Sequence, residues 1–295
     1  MVRHHHRSHR HERHAPPTLR TAGFGSADAS VSGATAIAQG QSATLPLTLS
    51  GTGPWSIVWA DGVTTTPPNS RAVSPPRTKR YRLTSVTDQN CTRVATSSVL
   101  VTVIPPAPAA LNATAIGSSA VQLTWSFTGV VADRYRVERR TAGSAFVPIA
   151  EPSGPSYVDT AVAPNTAYLY RVRAITESPD GVAVSVPSSS ELATTVALSD
   201  QPLVAGTPVK GEHITQLRSA VNAARATAGL SLANFTDPAL TGVSASAVHL
   251  LELRTAMNQA RIALGLPAWS YTDSSLAAGD PIRAIHIQDL REGVR

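Results

Sequence analysis

Two sets of side chains in this chain have types and spacings that could do chemistry. Arg218, Asn222 and Arg225 return 36 residues later as Arg254, Asn258 and Arg261. Separations of i, i+4 and i+7 put each trio on one helix face. Guanidinium forks beside an amide suit carboxylates, phosphates and sugar hydroxyls. The six residues therefore form a candidate ligand or interface stripe, with polysaccharide, cell wall or another protein as partner. The plainer expectation is a solvated face whose later arginines complement the helix C-terminal dipole. The second set is His213, His249 and His286, spaced by 36 and then 37 residues. A zinc site needs further ligands at i+3 or i+4, and each histidine stands alone in its own unit. No metal or cofactor is expected, and first-turn packing or capping is the expected role.

The motifs of catalysis are missing. There is no Gly-x-Ser-x-Gly elbow, no phosphate-cradling glycine loop and no dinucleotide fingerprint. His249-Leu250-Leu251-Glu252 lacks the second histidine of a metalloprotease helix. The 19 acids are scattered singly, leaving no candidate carboxylate pair for glycoside hydrolysis. The chain is expected not to be an enzyme. The net charge of +6 is concentrated at one end, where five arginines against Glu12 in residues 1–20 hold +4 of it. A body carrying +2 has no basic field, so nucleic acid is not an expected partner. Cys91 is the single cysteine, which excludes an intrachain disulfide. No run approaches the roughly 18 apolar residues of a membrane span. The His/Arg-rich start has no apolar core and is no signal peptide. Residues 1–30 read as a disordered tail, and the chain as the C-terminal piece of a longer secreted protein or one with a miscalled start.

The elements that position the stripe and the histidines come from a repeat. Glu212-His213-Ile214-Thr215-Gln216-Leu217-Arg218 returns as Val248-His249-Leu250-Leu251-Glu252-Leu253-Arg254 and as Ile285-His286-Ile287-Gln288-Asp289-Leu290-Arg291. A glycine stands seven positions before each histidine: Gly206, Gly242 and Gly279. Ile214, Leu217, Val221, Ala224 and Ala228, matched by Leu250, Leu253, Met257, Ala260 and Leu264, form one apolar helix face. Gly229-Leu230 and Gly265-Leu266 read as helix stops. Thr236-Asp237-Pro238 and Thr272-Asp273-Ser274 read as caps of a short helical turn. Phe235, Trp269 and Tyr271 read as loop-to-helix packing. Such units bury their stripes only together, so residues 205–295 form an all-α repeat module whose partial third copy closes the stack. Residues 198–209 read as the linker leading into it.

Upstream the period is 2. Strands are predicted at Ala34–Ala38, Ser42–Leu49, Trp55–Trp59, Arg71–Ser74, Arg80–Val86 and Ser97–Ile104, with turns at Gly51-Thr52-Gly53-Pro54, Asp61-Gly62 and Pro67-Pro68-Asn69. On Thr52-Gly53-Pro54-Trp55-Ser56-Ile57 and Tyr81-Arg82-Leu83-Thr84-Ser85-Val86, residues 31–104 resemble immunoglobulin-like modules of bacterial secreted proteins. Trp55 and Trp59 read as core or strand-end packing, with sugar stacking as the alternative. Ile104-Pro105-Pro106-Ala107-Pro108 is a stiff spacer. After it come Val121-Gln122-Leu123-Thr124-Trp125, Arg134-Tyr135-Arg136-Val137, Tyr157-Val158-Asp159-Thr160 and Val162-Ala163-Pro164-Asn165-Thr166-Ala167-Tyr168-Leu169-Tyr170. On these, residues 105–198 resemble a fibronectin type III domain. That resemblance implies Trp125 in the core and Tyr168 as a tyrosine corner. The C-terminal module resembles a helical repeat found at the ends of modular bacterial surface and secreted proteins.

The expected fold class is therefore multidomain, two all-β sandwiches followed by a small all-α module. The resemblances imply an extracellular or cell-surface protein with a spacer, adhesion or interaction role. Two alternatives stay open: the carbohydrate- or cell-wall-binding accessory region of a polysaccharide-degrading enzyme, and a self-assembling surface subunit. The oligomeric state is open, and there is no Arg-Gly-Asp tripeptide to suggest integrin recognition.

Overall fold

The computed structural model describes residues 26–66, 70–130, 132–240 and 244–295. The His/Arg-rich segment through residue 25, the Pro67-Pro68-Asn69 turn and Gly242 lie outside the described residues. The chain folds as two β-sandwiches followed by three helices.

The first sandwich contains β1 (Asp28–Val31), β2 (Thr35–Ala38), β3 (Ala43–Ser50), β4 (Ser56–Trp59), β5 (Thr64–Thr65), β6 (Ser70–Val73), β7 (Lys79–Thr87), β8 (Thr92–Val94) and β9 (Ser98–Ile104). One sheet runs β1-β3-β6 and the other β2-β9-β7-β4-β5, with β8 on β7. The alternating patterns in β3, β7 and β9 match alternating burial, as a half-buried strand requires. Strand β1 pairs antiparallel with β3, Asp28 opposite Ser50 and Val31 opposite Leu47, so residues 28–30 are sandwich rather than tail. Its four-residue run is too short for the period to show in sequence.

The chain divides into two compact units, and the division passes through this sandwich. The first unit has residues through Ser32 with Pro46–Arg71 and Arg82–Ser98. Its core is Leu47, Ile57, Trp59, Leu83 and Val86. Trp59 is core, its indole N–H donating to Thr65 Oγ1 at 3.0 Å. Trp55 folds back over Gly53, where an added Cβ would stand 2.7 Å from the ring.

The second unit has Gly33–Leu45, Ala72–Tyr81 and Val99–Arg295. It holds the rest of the first sandwich, the whole second sandwich and the helices. Within it, the β6–β7 turn grips the second sandwich. Arg77 ion-pairs with Asp133 and donates to the Glu177 carbonyl at 2.6 Å, and the Ser178 hydroxyl donates to the Thr78 carbonyl at 2.6 Å. The guanidinium holds the Asp133 carboxyl below the usual carboxylate range.

The second sandwich contains β10 (Ala109–Ile116), β11 (Ala120–Ser126), β12 (Arg134–Arg140), β13 (Val147–Ala150), β14 (Ser156–Asp159), β15 (Ala167–Ser178), β16 (Gly181–Val184) and β17 (Glu191–Thr194). A three-stranded sheet β10-β11-β14 faces a sheet ordered β13-β12-β15-β16, with β17 also on β15. Trp125 sits in the core edge-on to Tyr135, centroids 5.3 Å apart. The Tyr168 hydroxyl accepts the Ala163 N–H at 2.7 Å, fixing the loop that enters β15. Three strands against five, a core tryptophan and this corner make it a fibronectin type III-like sandwich.

The helices are α1 (Gly211–Thr227), α2 (Ala247–Ala263) and α3 (Ala284–Gly293). Their stripes meet in one core of Ile214, Leu217, Val221, Leu250, Leu253, Met257, Ile287 and Leu290. The first two helices stop as the sequence suggests. Gly229 and Gly265 are left-handed, Leu230 N–H donates back to the Arg225 carbonyl, and Leu266 N–H donates back to that of Arg261. Ala224, Ala260, Leu264 and Leu266 form a second core with Ala167, Leu169 and Leu192 of the sandwich. Thr227 Oγ1 donates to the Ala167 carbonyl at 2.9 Å across that junction.

Candidate functional site

Each helix begins with the same device. The N-cap N–H of Lys210, Ser246 and Arg283 donates to Nδ1 of His213, His249 and His286, at 3.2, 3.1 and 3.2 Å. A ring that accepts on Nδ1 carries its proton on Nε2. That nitrogen lies 3.0 Å from Asp200 Oδ2 in the first copy, 3.2 Å from Asp237 Oδ2 in the second and 3.3 Å from Asp273 Oδ2 in the third. All three imidazoles are buried, so each is a capping group built into its own helix. Among the described residues, no three His, Cys, Asp or Glu side chains group as metal ligands.

The aspartates belong to a second, quieter repeat: Leu198-Ser199-Asp200, Phe235-Thr236-Asp237 and Tyr271-Thr272-Asp273. The middle hydroxyl residue is held from the helix that follows it. Ser199 N–H donates to Gln216 Oε1 at 2.9 Å, Thr236 N–H to Glu252 at 3.1 Å, and Thr272 N–H to Asp289 Oδ2 at 2.8 Å. No short helix follows the triplets at 236 and 272; after the second, residues 274–275 form a turn whose Ser275 hydroxyl donates to Asp273 Oδ1 at 3.1 Å. The N–H and hydroxyl of Thr236 and of Thr272 are committed to Glu252 on α2 and Asp289 on α3.

The arginines complete the pattern from the preceding helix. Arg218 on α1 donates to the Asp237 and Thr236 carbonyls at 2.8 and 2.6 Å. Arg254 on α2 donates to the Asp273 carbonyl at 2.6 Å. Arg291 on α3 donates to the Asp200 and Ser199 carbonyls at 2.9 and 2.6 Å. Helix one holds the loop of helix two, two holds three, and three holds one. The partial third copy closes a ring, and Ser199 and Asp200, in the segment read as linker, are part of it.

The candidate stripe is accounted for residue by residue. Arg218, Arg225, Arg254 and Arg261 are only 6–8% exposed, so the face that carries them is not solvated. Arg225 Nε donates to the Ser231 carbonyl and Arg261 Nε to that of Pro267, at 2.8 and 2.9 Å. Asn222 Oδ1 accepts the Ala233 N–H and Asn258 Oδ1 the Trp269 N–H, both at 2.8 Å. The expected packing residues lie under the guanidiniums: Phe235 with Arg218 at 4.9 Å, Tyr271 with Arg254 at 4.4 Å and Trp269 with Arg261 at 5.1 Å. Burial of this kind raises the Tyr271 phenol to about 12. The six residues meet loop backbone, and donors left over by those bonds, Arg218 Nε and Arg254 Nε and Nη2, are buried away from an external anion or sugar.

Outside these bonds the module has a groove of about 500 Å³ at the α1–α2 junction, between α2 and the loop that follows α1. No described helix is long and apolar enough to cross a membrane.

The sandwich and the ring define the class, a fibronectin type III-like domain bearing a three-helix module. No family model and no curated protein matches the chain. Among solved structures it is similar to a two-domain fibronectin type III segment of chicken tenascin, at 15% identity over 57% of this chain and 98% of that one, TM-score 0.38. It is also similar to an Fn3-like protein from Clostridium thermocellum, at 28% identity over 30% of this chain and 90% of that one, TM-score 0.26. A third is titin domains A168–A170, at 19% identity over 57% of this chain and 66% of that one, TM-score 0.30.

Proposed function

We propose that this chain is a non-catalytic part of a modular bacterial surface or secreted protein, in which the sandwiches space and display a helical interaction module. The observation that carries the reading is the shared core of Leu169, Leu192, Ala224, Ala260 and Leu264. It makes the second sandwich a rigid mount for the helices, and an ordered mount reduces the entropy lost when a displayed face meets a partner. The resemblance of the first module to bacterial immunoglobulin-like domains, and of the last to C-terminal repeats of surface proteins, supports an extracellular or cell-surface setting. The convergent polar side chains of the helical module are engaged in holding its loops, which supports a binding role over a catalytic one.

The test is co-sedimentation of the whole chain with bacterial sacculi and a panel of insoluble polysaccharides, alongside sedimentation velocity over a concentration range. A chain that stays in the supernatant as a monomer and selects protein or peptide partners supports the reading. Retention on a glycan replaces it with the accessory-region alternative, and concentration-dependent oligomers replace it with self-assembly.

A further inference from the structure

The α1–α2 and α2–α3 junctions of the ring are built alike from Arg225 and Arg261, and they differ at one place. Ala233 and Trp269 are equivalents, since their N–H groups make the same bond to Asn222 and Asn258. Ala256 and Gly293 are equivalents too, since Arg225 Nη1 reaches the Ala256 carbonyl and Arg261 Nη1 that of Gly293, at 3.3 and 2.8 Å. Between α2 and α3 the Trp269 indole lies under Arg261 and against Gly293, where an added Cβ would stand 3.2 Å from Trp269 Cγ. Between α1 and α2 that ring is missing. Ala233 offers a methyl group, and no aromatic ring lies over Arg225 among the described residues. The open groove lies here, lined by Arg225, Ala233, Leu251, Thr255, Ala256 and Gln259.

The geometry points to this groove as a binding site for an aromatic side chain of a partner polypeptide, tryptophan above all, laid against Arg225 and Ala256 as Trp269 lies against Arg261 and Gly293. Gln259 Oε1 fixes the Arg225 guanidinium at 2.7 Å, so the cationic floor is already oriented for a ring. The Ala256 methyl shifts the ring outward by a few tenths of an ångström, which the open mouth permits. Leu232 and Val248, also in the lining, are 63% and 37% exposed and supply an apolar rim. Thr255 and Gln259 offer polar groups to a peptide backbone. A rim of this composition suits a protein surface better than a solvated small molecule.

This rests on the helical module being the interaction end. The experiment is selection of a random peptide library against the whole chain, followed by affinity measurements on Ala233→Trp and Thr255→Arg. Selected peptides are expected to share one tryptophan, and its replacement by alanine should weaken binding at least ~10-fold. Ala233→Trp supplies the ring from within. It should abolish binding while the thermal midpoint holds or rises. Thr255→Arg blocks the groove from the surface and should give the same loss without touching the core. Peptides without an aromatic residue in common, or binding unchanged in both variants, would overturn the groove while leaving the module an interaction surface. A chain that selects no peptide and sediments with polysaccharide would overturn both.

Discussion

At the residue scale, stability rests on a few polar bonds whose partners can be named. Tyr168→Phe deletes the hydroxyl that accepts the Ala163 N–H and leaves that donor in a part-buried loop. A loss of about 1–2 kcal/mol is expected from denaturant midpoints. Arg254→Lys keeps the charge but loses the planar guanidinium stacked on Tyr271 and its Nη1 bond to the Asp273 carbonyl. About 2 kcal/mol should go with it, because a bond from a charged donor is worth roughly 1.5–3 kcal/mol. The loop aspartates set the pH response. The Lys210 ammonium, then the His213 ring, hold the Asp200 carboxyl below the usual range, and the Ser275 hydroxyl, aided by His286, does the same for Asp273. A carboxyl whose folded pKa is depressed stabilises the fold above the ordinary carboxylate range of about 4, and that contribution is lost as pH falls through the depressed value. The helical circular dichroism signal should therefore melt at a steady temperature from neutral pH to about 5 and earlier below 4. In Asp200→Asn and Asp273→Asn the acid slope should flatten.

At the scale of elements, the ring makes a prediction a stack of repeats would not. In an open stack the last copy supports only its neighbour. Here Arg291→Gln releases Ser199 and Asp200 and should raise amide exchange at residues 199–203 and in the first turn of α1, far from the mutation in sequence. Exchange that rises only within α3 would sink the closed ring. Much of this architecture was legible in the sequence. The core strands lie within a residue or so of their predicted limits, and the apolar stripes and glycine stops mark the helices correctly. Closure was harder to read. Periodicity tells which residues share a helix face, but a buried arginine and a solvated one have the same period. What distinguishes them is a loop carbonyl about 19 residues away in two copies and about 91 away in the third. The signal was present in Leu198-Ser199-Asp200, Phe235-Thr236-Asp237 and Tyr271-Thr272-Asp273. The first of these carries leucine where the others carry an aromatic ring, and it sits among turn-forming residues that imitate a linker. The missing ring at Ala233 also needed structure, since its meaning depends on what Trp269 touches.

At the scale of the whole molecule, the sandwich and the helices of the second unit should unfold together. Leu192 is fully buried in the core they share. Leu192→Ala should cost about 2–5 kcal/mol and lower the midpoint of the β15 and α1 amides alike in hydrogen exchange. Separate loss of α1 protection, with β15 unchanged, would show the mount to be a tether. Glu191 lies in β17 beside Leu192, and burial raises its carboxyl above the ordinary range. Its ionised form is a cost at neutral pH, so Glu191→Gln should leave the melting temperature equal or higher at pH 7, and that advantage should vanish in acid, where the wild-type carboxyl is protonated.

The grip of Arg291 on Ser199 and Asp200 also decides how the module bears mechanical load. The polypeptide enters the ring at residue 200 and comes back to the same spot at residue 291. Tension applied between those two points runs through a clamp of two hydrogen bonds and bypasses α2 and its groove. A pull between those two points would therefore load the Arg291 clamp before it loads α2.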